Sequence, residues 1–85
     1  MQKHLGLDNF VRSKADDERI SKDIQALFKT PNGKQVLQYL RSITIESVQG
    51  PNASDAELRH LEGQRYLVGL ISRRIQHAEK VLKNE

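Results

Sequence analysis

From Ser54 to Leu82 the chain returns an apolar or neutral side chain every three or four residues: Leu61, Gln64, Val68, Ile71, Ile75, Ala78, Leu82. That spacing keeps side chains on one stripe of an α-helix. Leu58, Leu67, Leu70 and Val81 widen the stripe. Ser54 followed three residues later by Glu57 has the form of a capping box, which starts the helix at Ser54. At 1.5 Å per residue the element is about 43 Å long. A helix of that length dominates a chain of 85 residues, and whatever else folds has to pack along it.

Eighty-five residues form one domain that buries only roughly 60 to 65% of its unfolded surface, so a partner or a second copy is expected to complete it. There is no Cys, which excludes a disulfide framework and a thiolate zinc site. No apolar run approaches the ~18 residues of a membrane span, and the N-terminus has no signal-peptide core. The expectation is a soluble protein that is not exported and has no membrane partner. Lys and Arg number 14 against 11 acidic residues, a net charge of +3, which permits nucleic-acid contact without demanding it. Aromatic residues make up 5%, too few for a base-stacking platform.

Residues 1–13 show no sustained period, with Gly6 interrupting Leu5, Leu7, Phe10 and Val11. They read as a flexible N-terminal arm, either frayed or docking on a partner, ahead of a single helical domain at 14–85. Ser13 to Phe28 predicts a first helix, with Asp16, Asp17 and Glu18 complementing its positive end and Ile20, Ile24, Leu27 and Phe28 on one face. Thr30-Pro31 suits the start of a second helix, although Asn32-Gly33 could delay it. This helix runs to about Thr44 with Val36, Leu37, Leu40 and Ile43 inward, then frays at the β-branched Ile43-Thr44-Ile45. Gly50-Pro51 breaks the chain before the long helix. The fold class is all-α: two short N-terminal helices packed on one long C-terminal helix.

Two short helices of roughly 20 Å each cannot cover all of the long one if they lie side by side. The favoured arrangement leaves Ile71, Ile75, Ala78 and Leu82 as an uncovered seam and therefore an interface; an end-to-end arrangement would shield more of it. Gly63 and Gly69 each weaken a helix interior by roughly 1 kcal/mol, so the second helix or a subunit partner is expected to cross close to Gly63. Arg65 lies beside the seam, either paired with Glu62 or reaching another subunit or a phosphate. The interface set is Gly63, Arg65, Val68, Ile71, Ile75, Ala78 and Leu82.

Nothing points to catalysis. His4, His60 and His77 form no i, i+4 pair, and no phosphate loop, nucleophile elbow, metal motif or cofactor motif is present. Arg73, His77 and Lys80 share one face, and Arg74 adds charge nearby; these four are candidate phosphate contacts, for a weak and salt-sensitive DNA interaction. Cations at a helix C-terminus also relieve its dipole without any ligand.

The segment FKTPNGKQVLQYL, followed after a loop by EGQRYLVGLI, resembles the short uncharacterised tailed-phage proteins typified by a Bordetella podophage gene product. The matching positions are Phe28, Thr30, Pro31, Gly33, Val36, Leu37, Leu40, Glu62, Gly63, Arg65 and Ile71. The resemblance implies a phage origin and a gene among those for head assembly and DNA packaging, and it carries no activity, catalytic residue or cofactor. It implies a non-enzymatic assembly or accessory protein acting in the host cytoplasm during infection or in the virion. Its partner would be a portal or capsid component, or itself. The runner-up is a packaging or regulatory protein touching DNA backbone through the basic helix end.

Overall fold

A computed structural model of the chain describes residues 4–85. Three helices follow a short hairpin: β1 (His4–Leu5), β2 (Val11–Arg12), α1 (Lys14–Phe28), α2 (Pro31–Ser42) and α3 (Asp55–Lys83). The architecture is all-α apart from that two-stranded sheet.

Each helix begins where a side-chain oxygen can accept from its unsatisfied first-turn amides. Ser13 accepts from Asp16 N at 3.1 Å, Thr30 from Gly33 N at 2.9 Å, and Ser54 from Glu57 N at 3.1 Å. Pro31 occupies the first position of α2, where its missing N–H has no partner to lose. The chain turns from α1 into α2 without delay at Asn32-Gly33, because Gly33 packs against the end of α1: a Cβ there would collide with the Leu27 carbonyl and lie 2.7 Å from Phe28 Cα. α2 ends at Ser42, slightly short of the expected Thr44, in the β-branched run.

Where the sequence suggests an arm, residues 4–12 form an antiparallel hairpin with His4 opposite Arg12 and Leu5 opposite Val11; residues 1–3 of the expected arm lie outside the described residues. The turn runs from Gly6 to Asn9, closed by Asn9 N–H donating to the Gly6 carbonyl at 2.9 Å. Asn9 adopts φ 70°, a left-handed conformation that Asn tolerates, and Asp8 Oδ1 accepts from Phe10 N at 3.1 Å.

α1 lies against the C-terminal half of α3, which it meets through Asp17 and Ser21 facing Arg74 and His77. α2 touches α3 only sparingly, near Arg41 and Thr44. The apolar core is correspondingly small: Leu61, Val68 and Ala78 are buried, together with Asp17, Ser21, Thr44 and Arg74. The molecule measures 48 × 36 × 14 Å over its Cα atoms. Fourteen ångströms is what two helices in contact require, given axes 8–10 Å apart and Cα radii of about 2.3 Å. Among the described residues no third layer covers either face.

Candidate functional site

A buried ionic cluster joins the hairpin, α1 and α3. Arg74, 1% exposed, donates from Nη1 to Asp17 Oδ1 at 2.6 Å, to the Asp17 carbonyl at 3.0 Å and to Ser21 Oγ at 3.0 Å. Its Nη2 makes no hydrogen bond among the described residues but lies 3.4 Å from Asp8 Oδ2. Asp17 also accepts from Leu7 N at 3.1 Å and contacts His4 Nε2 at 3.4 Å, while Arg12 Nη2 holds Asp8 at 2.7 Å. Two carboxylates and two guanidiniums thus pin the hairpin to the helices. Burial pushes the Asp17 carboxyl up, but hydrogen bonds from Arg74, Leu7 N–H and His4 outweigh it and leave its pKa lowered. The Arg12 hydrogen bond holds Asp8 down to about 2.

The cluster continues through Ser21 Oγ to His77 Nδ1 at 2.7 Å. Beyond it, His77 lines a hollow of about 210 Å³ with Leu7, Arg73, Gln76 and Lys80, between the hairpin turn and α3. Arg73 stands over the Tyr66 ring, 5.4 Å from its centroid. Of the four candidate phosphate contacts, Arg73 and Lys80 are exposed and His77 is half-buried in one hollow, whereas Arg74 points inward. The expected surface role of Arg74 is corrected by its burial: a guanidinium that is paired with Asp17 inside the fold has no surface to offer a ligand.

The expected seam is also redistributed. Because α1 covers the C-terminal half of α3, Ala78 is fully buried and Ile71 and Ile75 are half-buried; Val68 is buried and Leu82 is exposed. The uncovered apolar surface lies elsewhere. On α2, Val36, Tyr39 and the cap residue Ile43 recur at i, i+3 and i+7, and are 51%, 62% and 49% exposed. On the N-terminal half of α3, Leu67 is 61% exposed, with Leu58 and Tyr66 exposed beside it. Ile43 and Leu61 floor a groove of about 420 Å³ between the end of α2 and the first turns of α3, rimmed by His60 and Gln64.

Gly63 is exposed and has nothing within 4 Å of a would-be Cβ, so among the described residues no element crosses it. Arg65 is engaged within the chain: Nη1 pairs with Glu62 at 2.6 Å, Nε donates to the Thr44 carbonyl at 2.9 Å, and Nη2 donates to the Ser47 carbonyl. It fastens the segment after α2 to α3. Among the described residues no group of His, Asp and Glu is arranged to hold a metal ion, and no helix is long and apolar enough to cross a membrane.

Sequence reasoning misses Asp17, Ser21 and Asp8. A run of three acids at a helix start reads as a dipole complement, and only the hairpin and Arg74 reveal that one of them is buried. The Asp8-Asn9 dipeptide is the one local signal of the turn that brings Asp8 into place.

A family model for Bbp19-like phage proteins matches residues 24–83, spanning the end of α1 and all of α2 and α3. The chain belongs to the Bbp19-like phage protein family. The match covers well over half of the sequence and includes Arg73, Arg74, His77 and Lys80, while the hairpin, Asp17 and Ser21 precede it. Neither the curated proteins nor the solved structures yield a match. For a Bbp19-like chain, therefore, residue roles have to be argued from its own geometry.

Proposed function

We propose that this Bbp19-like protein is a non-enzymatic assembly or accessory component of the phage particle, docking on a portal or capsid component, or on a second copy of itself, through its uncovered apolar surface. The observation that carries this reading is the surface the fold leaves open. The accessible area is 6559 Å², whereas a compact monomer of this mass has about 5,100 Å². The excess, about 1,460 Å², is larger than the ~800 Å² that one partner contributes to a standard specific interface. Its apolar part includes a stripe on α2 and the N-terminal half of α3, where Val36, Tyr39, Ile43 and Leu67 are about half or more exposed, besides exposed residues on the hairpin, at Leu27 and at Val48. Patches of that kind mark interaction sites in proteins that stay in solution. Gly63, with open space around it, adds a position at which a second backbone can approach closely.

A second reading, contact with DNA backbone, is favoured by Arg73, His77 and Lys80 lining one hollow. The two separate by mutation. Tyr39→Asp with Leu67→Asp is expected to abolish co-sedimentation with heads or portal rings of the encoding phage and to leave DNA retention unchanged. Arg73→Glu with Lys80→Glu is expected to do the reverse. Loss of head binding only in the basic-residue variant would overturn the apolar-docking reading.

A further inference from the structure

Ser21 has no exposed surface, and its Oγ lies between Arg74 Nη1 at 3.0 Å and His77 Nδ1 at 2.7 Å. A guanidinium N–H can only donate, so Arg74 occupies a lone pair of the hydroxyl. The hydroxyl proton then needs an acceptor, since a buried donor without one is destabilising. Among the described residues the acceptor bonded to it is His77 Nδ1. An accepting Nδ1 places the ring proton on Nε2. The relay from Asp17 through Arg74 and Ser21 thus orients the imidazole and makes its outer edge an N–H donor.

His77 lines a hollow of about 210 Å³ together with Leu7, Arg73, Gln76 and Lys80. Arg73 brings a fork of N–H donors, Lys80 an ammonium, and Gln76 an amide N–H₂. Among the described residues no carboxylate lines it. Glu18 and Glu85 lie in the adjoining hollow on the other side of His77 and Lys80, where Glu85 is paired with Lys22. The walls of this hollow are largely apolar, but donors predominate among its polar groups and two of them belong to the exposed cations Arg73 and Lys80, an arrangement that suits a tetrahedral oxyanion with several acceptor oxygens. We propose that this hollow binds a phosphate group through Arg73, Lys80 and His77 Nε2–H, with Arg74 and Ser21 as positioning residues. The phosphate can come from a nucleic-acid backbone or from a free phosphate. The site is independent of the apolar-docking reading and stands or falls separately.

The test is a nitrogen-detected NMR titration of the full chain, following the His77 ring and the Arg73 guanidinium. Inorganic phosphate, sodium chloride at matched ionic strength, and a 20-base-pair DNA duplex are compared. The expected result is a resting Nε2–H tautomer and a saturable shift of both groups with phosphate but not chloride. Arg73→Gln with Lys80→Gln should weaken binding about tenfold or more, because both charge-assisted contacts are removed; both residues are exposed, so the fold should persist. Ser21→Ala should admit the second tautomer and weaken phosphate binding, a change that a purely structural serine would not produce. Saturation by DNA at a lower phosphate concentration than the inorganic ion identifies the backbone as the source, and equal potency identifies free phosphate. An Nδ1–H tautomer, no saturable shift with either probe, or a shift undiminished in the double variant would overturn the proposal.

Discussion

At the scale of single residues, the least expected feature is Arg74. It sits in the positively charged tail end of a long helix, where arginines ordinarily complement the dipole from the surface. Instead it is the largest side chain that is fully buried, and Asp17 is its counter-ion. Removing one member of a buried pair leaves the other uncompensated. Arg74→Ala is therefore expected to lower stability by about 3–5 kcal/mol in urea denaturation, enough to unfold much of a domain this small. Acid should act on the same cluster. Asp17 and Asp8 titrate lower in the fold than in the unfolded chain, where a carboxyl of this type has a pKa near 4. The unfolded chain thus binds more protons in acid, and stability rises with pH across that range. The contribution is complete above the unfolded value and is lost as pH falls from about 4 to about 2, which a series of urea midpoints against pH will follow. None of this is legible from sequence, because a buried acid and a solvated acid look identical until their partner, 57 positions away in the case of Asp17, is placed beside them.

At the scale of elements, the helices are legible because their signals are local. Ser13, Thr30 and Ser54 each supply the cap that a helix start needs, and Pro31 fixes the first turn of α2. Replacing any one cap by Ala is expected to lower stability by about 1 kcal/mol. The hairpin is not legible: two strands of two residues carry no period, and their stability comes from Asp17 and Arg74 rather than from their own apolar residues, since Leu5, Phe10 and Val11 are exposed. Glycines give a sharper contrast. Gly33 abuts the backbone of Leu27 and Phe28, so Gly33→Ala must push α1 and α2 apart and is expected to destabilise by more than about 1 kcal/mol. Gly63 and Gly69 face open space within α3, so alanine at either should stabilise the isolated chain by about 0.5–1 kcal/mol through helix propensity. Thermal melts of the three variants separate these outcomes. A Gly63→Ala chain that is more stable yet impaired in docking would mark Gly63 as a point of close approach by a partner.

At the scale of the whole molecule, the fold is a thin slab rather than a ball. Its radius of gyration is 15.4 Å, against about 12 Å for a compact chain of this length. The helical periodicity anticipates uncovered apolar surface but puts it on the wrong half of α3, because a helical wheel does not reveal which half the short helices cover. That choice is made by Asp17 and Ser21, which seat α1 against Arg74 and His77 and leave α2 to splay near Leu61. The apolar stripe of α2 and the first half of α3 remain without a covering layer, and in the proposed assembly a second protein surface supplies it. The most direct measurement is the molar mass in solution by light scattering, at low and high salt, with and without duplex DNA. The expected result is a mass above the 9.7 kDa of one chain that resists high salt, ignores DNA and collapses to the monomer in the Tyr39→Asp, Leu67→Asp variant. A monomer that changes mass only when DNA is added at low salt would contradict self-association through the apolar surface and favour contact with DNA backbone.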